Sequence, residues 1–343
     1  MTSVEERWLA ALQQGLPLEA RPFEALAREL ACSESDLLAF VARCRADGLV
    51  RRFGAVFDTR RLGYRSVLCG AVVPVAELDA VAARLTPLVG VTHCYVREPV
   101  LGGASEPMTP SIPNLWFTLS YPNDVFAAMA DDVAARVAPH VVRFLPATVR
   151  YKVDVVFGGA TRVRDESTAD GPPVTARDRA IISALQGDTE VRADYFAAVA
   201  ARAGLREWDL LAQLEMWRRS GRLKRIGLLL AHRNAGWTAN GMCCWQVAGD
   251  THVAGRALAA RDEVTHCYER PAAPDFPYNL FAMVHARSLD DAQRQHRLLS
   301  DTLEAVLGIA PPTTMLLSTK EYKKSSMTFF APPTEIPETL PQP

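Results

Sequence analysis

No stretch of this 343-residue sequence stays apolar for the roughly 18–20 residues that a membrane-crossing helix requires. A basic excess is missing too. Lys and Arg number 38 against 39 Asp and Glu, a formal net charge of −1, whereas nucleic-acid binders usually carry a basic domain or face. The opening MTSVEERWLAALQQG is charged from the start and lacks the apolar stretch of a signal peptide. Cysteine offers neither a disulfide framework nor ligand spacing for zinc or iron–sulfur. The seven are scattered at 32, 44, 69, 94, 243, 244 and 267, with no CxxC. Reduced thiols in a cytoplasmic protein are the expectation. What is abundant is apolar material, 49% of residues, enough for sizeable cores in about two domains.

The pentapeptide VTHCY occurs twice, at 91 and at 264, and each copy is followed two residues on by arginine, Arg97 and Arg270. At the same offset of 173, Arg52 and Gly54 meet Arg225 and Gly227, and Gly48 meets Gly221. The offset holds without a gap from about residue 12 to 97, then drops to 165 where Asn114-Leu115 meets Asn279-Leu280. Copy one therefore carries an eight-residue insertion within EPVLGGASEPMTPSIP. The chain is a tandem duplication of one unit.

Each unit reads as α+β. Three short helices and a small wing come first, resembling a winged helix-turn-helix (1–62 and 177–236). A βαββαβ order follows, a ferredoxin-like sandwich (63–157 and 237–330). In copy one the closing strand is expected over 147–157. A polar linker, 158–176, joins the copies, and a Pro-rich tail, 331–343, is expected to be disordered. A winged helix joined to such a sandwich is similar to the Lrp/AsnC regulators. The would-be recognition helices argue against sequence-specific DNA binding. They begin Ser33-Glu34-Ser35-Asp36 and Arg206-Glu207-Trp208-Asp209, and carboxylates there repel the phosphate backbone.

Strand side chains alternate between faces. Val91, His93, Tyr95 and Arg97 then share one face, as do Val264, His266, Tyr268 and Arg270. Imidazole, phenol and guanidinium in line supply a proton donor or acceptor, a hydroxyl and a bidentate carboxylate clamp. Arg51, Arg52 and Arg225 in the wings join the candidates, with Lys152 on the last strand of copy one. Lys320, Lys323 and Lys324 stand at the matching end of copy two. Asn114 and Asn279 start neighbouring strands, and Trp116 offers a platform for a ring or a piece of core. Together these cations suit a ligand with several carboxylates.

RRFGAVFDTRRLGY, VTHCYVRE, PNLWFTL and KEYKKSSMTFF resemble the siroheme decarboxylases, Lrp/AsnC-like proteins of heme d1 synthesis and of the siroheme-dependent heme route. The resemblance runs from about residue 5 to 330 and looks like the fused form of two homologous subunits. It implies loss of CO2 from the acetates at ring positions 12 and 18 of siroheme, giving 12,18-didecarboxysiroheme. It implies no separate organic cofactor, since the substrate brings its own iron, and leaves open whether one of the two histidines, His93 or His266, ligates that iron. His93 or His266 would protonate the carbon left behind, being best matched to working pH. Tyr95 or Tyr268 would orient the imidazole or donate in its place. Arg97, Arg270, Arg52 and Arg225 would clamp the remaining carboxylates. An intramolecular pseudo-dimer is expected, with further pairing of chains possible. A tetrapyrrole-sensing regulator and a tetrapyrrole carrier are the competing readings.

Overall fold

The computed structural model describes residues 2–100, 112–153, 172–231 and 236–330. The core of the copy-one insertion, most of the 158–176 linker and the 331–343 tail lie outside these.

Copy one opens with α1 (Ser3–Gln14), α2 (Pro22–Glu29) and α3 (Glu34–Ala46). Local chemistry fixes their ends. Thr2 and Glu5 form a capping box on α1, Pro22 sits at the first position of α2, and Ser33 caps α3. Copy two repeats the trio as α6 (Ala176–Gln186), α7 (Tyr195–Arg202) and α8 (Glu207–Arg219). Gly48 and Gly221 recur because the turn after α3 and α8 needs a positive φ, 67° and 76°.

The wings are not free. Strand β1 (Val50–Phe57) of copy one pairs antiparallel with β7 (Leu223–Leu230) of copy two. Helices of both copies share one core around them, with Phe23, Phe53, Tyr195 and Phe196 in contact.

The remaining strands form one nine-stranded sheet. Copy one gives β2 (Tyr64–Ala71), β3 (Val91–Pro99), β4 (Leu115–Pro122), β5 (Val142–Pro146) and β6 (Val149–Val153). Copy two gives β8 (Ala239–Trp245), β9 (Val264–Glu269), β10 (Leu280–Ala286) and β11 (Thr313–Lys324). The order is β5-β2-β4-β3-β11-β8-β10-β9-β6. Its two outermost strands, β5 and β6, are consecutive in the chain, so the sheet curls back until its two edges come together. Helices α4 (Leu78–Leu85) and α5 (Phe126–Val137) cover the outside of copy one; α9 (Thr251–Ala259) and α10 (Leu289–Leu307) cover copy two.

The strand expected over 147–157 is met by β6 at 149–153, with 154–157 outside the described residues, and an unexpected strand, β5, precedes it. Strand β5 stays with its own copy, and β6 crosses to pair with β9 of the other. Strand β11 does both jobs without a break, pairing with β8 and then with β3. Each copy thus lends a strand to its twin.

Candidate functional site

Strand β3 does not alternate cleanly. Its pairing with β4 slips between Val91 and His93, where Thr92 is bulged. Val91 consequently packs outward with Cys94 and Val96 under the helices, not on the His93 face where alternation places it. Beyond the bulge His93, Tyr95 and Arg97 point inward. Copy two bulges at the same place, between Val264 and His266, sending Val264 outward and His266, Tyr268 and Arg270 inward.

Both rows open into one cavity of about 1330 Å³ between the curled sheet and the paired wings. Trp116, Met242 and Phe281 are shared between its wall and the apolar cluster inside the sheet. Trp116 donates from Nε1 to the Pro113 carbonyl at 2.6 Å, which fixes the indole.

The two histidines keep some surface open to the cavity, yet protein surrounds them closely. Burial first, and then Arg51, Lys324, His266 and Arg97, press the His93 pKa down to about 3. Burial, Lys224, Arg270 and Lys152 press His266 down to about 4. Both imidazoles are neutral at pH 7 without a ligand, so neither stands ready as an acid near working pH. An incoming anion supplies the opposite field and raises them. His93 Nδ1 lies 3.0 Å from the Thr92 hydroxyl, and His266 Nδ1 3.3 Å from the Tyr268 hydroxyl. Either contact leaves Nε2 for a ligand.

Arg97 and Arg270 lie over the rings of Tyr95 and Tyr268, at 5.5 and 4.8 Å. Each also crosses to the other copy. Arg97 Nη1 donates to the Leu316 and Asn240 carbonyls at 3.2 and 3.3 Å, and Arg270 Nη1 donates to the Leu145 carbonyl. Arg270 Nε is buried with no partner. A guanidinium carries five N–H donors, so each arginine can brace the two copies and still hold a carboxylate.

Known proteins match this arrangement. The model of the AsnC-like ligand binding domain fits residues 61–152 and 234–323, and that of the siroheme decarboxylase NirDL-like HTH domain fits residues 5–51. The siroheme decarboxylase of Hydrogenobacter thermophilus is 31% identical over 335 residues, 95% of each chain. The chain belongs to the siroheme decarboxylases. A crystal structure of the siroheme decarboxylase NirDL in co-complex with an iron-uroporphyrin III analogue is similar at TM-score 0.71 and 29% identity, over 96% of both chains. The siroheme decarboxylase beta subunit of Methanosarcina barkeri is 32% identical over 151 residues, 44% of this chain and 96% of the subunit. A single decarboxylase chain here spans what others divide between subunits.

Of the sequence candidates in this decarboxylase, Arg51, Arg52, His93, Tyr95, Arg97, Trp116, Arg225, His266, Tyr268 and Arg270 line the cavity. Arg52 turns its guanidinium to the backbone, donating to the Gln186 and Ala55 carbonyls at 3.0 Å and to Gly187 at 3.4 Å. It ties the end of α6 to the wing of the other copy and is a brace before it is a clamp.

Five candidates fall outside. Asn114 clips both backbone groups of Val73, and Asn279 does the same to Val247. The repeated amide holds strands together. Lys152 is buried on the helix side and donates to the Arg261 carbonyl at 2.6 Å. Lys323, its counterpart, donates to the carbonyls of Thr86 and Leu88. Lys320 pairs with Asp79 on the surface.

The cavity also gathers residues the sequence reading passed over: Asp58, Thr118, Arg150, Lys224, Met283 and His285. Lys224 was recoverable, since it stands 173 residues after Arg51. Arg150 was hidden by a second bulge, between Arg150 and Lys152. His285 has no repeat signal, because Ser120 holds the matching place in copy one.

Proposed function

We propose that this chain removes CO2 from the acetates at ring positions 12 and 18 of siroheme, giving 12,18-didecarboxysiroheme for heme d1 biosynthesis. The cavity shared by both rows carries the reading, because two imidazole–phenol–guanidinium rows and additional cations ring an apolar floor within it. Siroheme is a flat macrocycle edged with eight carboxylates, and it needs that combination. The NirDL structure solved with an iron-uroporphyrin III analogue supports a ligand of this class.

The reaction breaks the bond between the acetate methylene and its carboxylate. The electron pair stays on the methylene carbon, delocalised into the ring, and CO2 leaves. One proton then completes each methyl group. His93 or His266 is the proton donor once the substrate's carboxylates raise its pKa, with Tyr95 or Tyr268 beside it. Arg97 and Arg270 hold carboxylates in register. No oxidant, reductant or separate organic cofactor enters the balance. The iron arrives with the substrate.

The paired wings support an enzyme over a DNA-reading regulator, since β1 and β7 use their edges on each other. Helix α8 presents Trp208, 60% exposed, beside Glu207. Anaerobic incubation with siroheme and mass analysis test the reading. Loss of two CO2 per macrocycle is expected, and siroheme recovered unchanged from a tight complex would leave a carrier or sensor.

A further inference from the structure

The two rows are alike, but the residues opposite each histidine are not. Strand pairing sets Thr118 and Lys324 across from His93. The same pairing sets Met283 and Val153 across from His266. All four line the cavity. One imidazole is therefore flanked by a hydroxyl and an ammonium, the other by a thioether and an isopropyl group. The remaining cations sharpen the contrast. On the His266 side, Lys224 and Arg150 act on Asp58, which is 7% exposed and held ionised below its usual range chiefly by its bond from Arg60 against the cost of burial. The matching position beside the His93 row is Ala231.

This difference separates two tasks. In decarboxylation the negative charge leaves the carboxylate for the methylene carbon and the ring. A cation bonded to that carboxylate stabilises the starting state more than the transition state and slows the step. An apolar wall removes water and counter-charge from the carboxylate and leaves the transition state less penalised. A carboxylate that must only be held gains from the cation.

We propose that the half-site of His266, walled by Met283 and Val153, is where the acetate loses CO2, while the half-site of His93, Lys324 and Thr118 holds a carboxylate that stays intact. This rests on the reading given under Proposed function. There the C–C bond of the acetate breaks against Met283 and Val153, CO2 departs, and His266 delivers the proton to the methylene carbon. Lys324, with Arg51 nearby, positions the macrocycle.

Exchanging the flanking residues tests it, with affinity and saturating turnover measured separately on the full chain. Val153→Lys is expected to lower turnover at saturating siroheme at least about 100-fold with affinity kept or raised. Lys324→Val is expected to weaken binding about tenfold with saturating turnover within about threefold. If Val153→Lys does not fold, Met283→Thr, which writes the copy-one residue into copy two, should lower turnover about tenfold at unchanged affinity. Turnover lost in Lys324→Val and kept in the Val153 and Met283 variants overturns the assignment, and so do equal losses on both sides. Iron uroporphyrin serves as a binding probe independent of turnover. If the unsubstituted chain binds siroheme and releases no CO2, the proposed activity falls. The holding role of Lys324 is then read from the probe alone, and unchanged affinity in Lys324→Val overturns it.

Discussion

The Tyr268 hydroxyl lies 3.3 Å from Nδ1 of His266, with the two rings stacked at an interplanar angle of 13°. In the other copy the same nitrogen turns to Thr92, and the ring of Tyr95 is tilted 34° from that of His93. Identical pentapeptides thus set their imidazoles differently. Tyr268→Phe removes the hydroxyl that orients His266 and is expected to reduce saturating turnover about tenfold or more. Thr92→Val is expected to change it less than about threefold. Steady-state rates with siroheme at saturation check the pair; equal effects would show that the difference in geometry has no kinetic weight.

Acid should loosen the empty protein. An unfolded histidine titrates near 6.5, and in the fold His93 and His266 sit at about 3 and about 4. The unfolded chain therefore binds more protons than the folded one between about pH 6.5 and 4. Stability contributed by the neutral imidazoles is present above that window and is lost as pH falls through it. Denaturant midpoints at pH 7, 6 and 5 should drop steadily, and His266→Gln should flatten the drop. The polycarboxylate ligand has the opposite effect, so its binding in weak buffer near pH 6 should take up protons, measurable with an indicator dye.

Arg52 is a structural residue, and its loss should be read in stability. Its guanidinium serves the carbonyls of Gln186, Gly187 and Ala55. Arg52→Ala is expected to cost about 2–3 kcal/mol in chemical denaturation while the folded fraction binds iron uroporphyrin as tightly as before. Arg270→Ala, by contrast, should weaken binding as well.

Gly54 stands where α6 of copy two crosses the wing of copy one. A Cβ there would meet the backbone oxygens of Gly187 and Leu185 at 2.5 and 2.8 Å. Backbone cannot swing aside as a side chain can. Gly54→Ala is expected to destabilise by about 2 kcal/mol or more, measured by thermal or urea unfolding. Gly227→Ala should behave alike, since its Cβ would strike the Leu12 carbonyl.

Most of the architecture was legible in the repeat. Helix spacing, caps and the βαββαβ order mark both units, and the recurring His, Tyr and Arg mark the strands that enter the cavity. What stayed hidden lies between the copies. The Arg52–Gly54 repeat looks like a binding signal in one dimension, but its partners are carbonyls 134 and 135 residues away. Asn114 and Asn279 repeat because each clips a strand to its neighbour. Strict alternation misplaced Val91, since nothing in the sequence announces a bulge at Thr92. Lys152 and Lys323 followed the same kind of slip: bulges turn them outward while Arg150 and Lys324 face in.

The exchanged strands carry a further consequence. Strand β6 is received by β9 and β11 by β3, through near-equivalent surfaces. Surfaces that similar would also let a first half pair with another first half, giving a dimer with two His93 rows that lacks both Met283 and Lys324. Residues 154–171 join the halves in one chain and raise their local concentration for each other to the millimolar range. The tether thus acts as a sorting device: it selects the mixed pair over the two like pairs, and the asymmetry of the cavity is inherited by every molecule made.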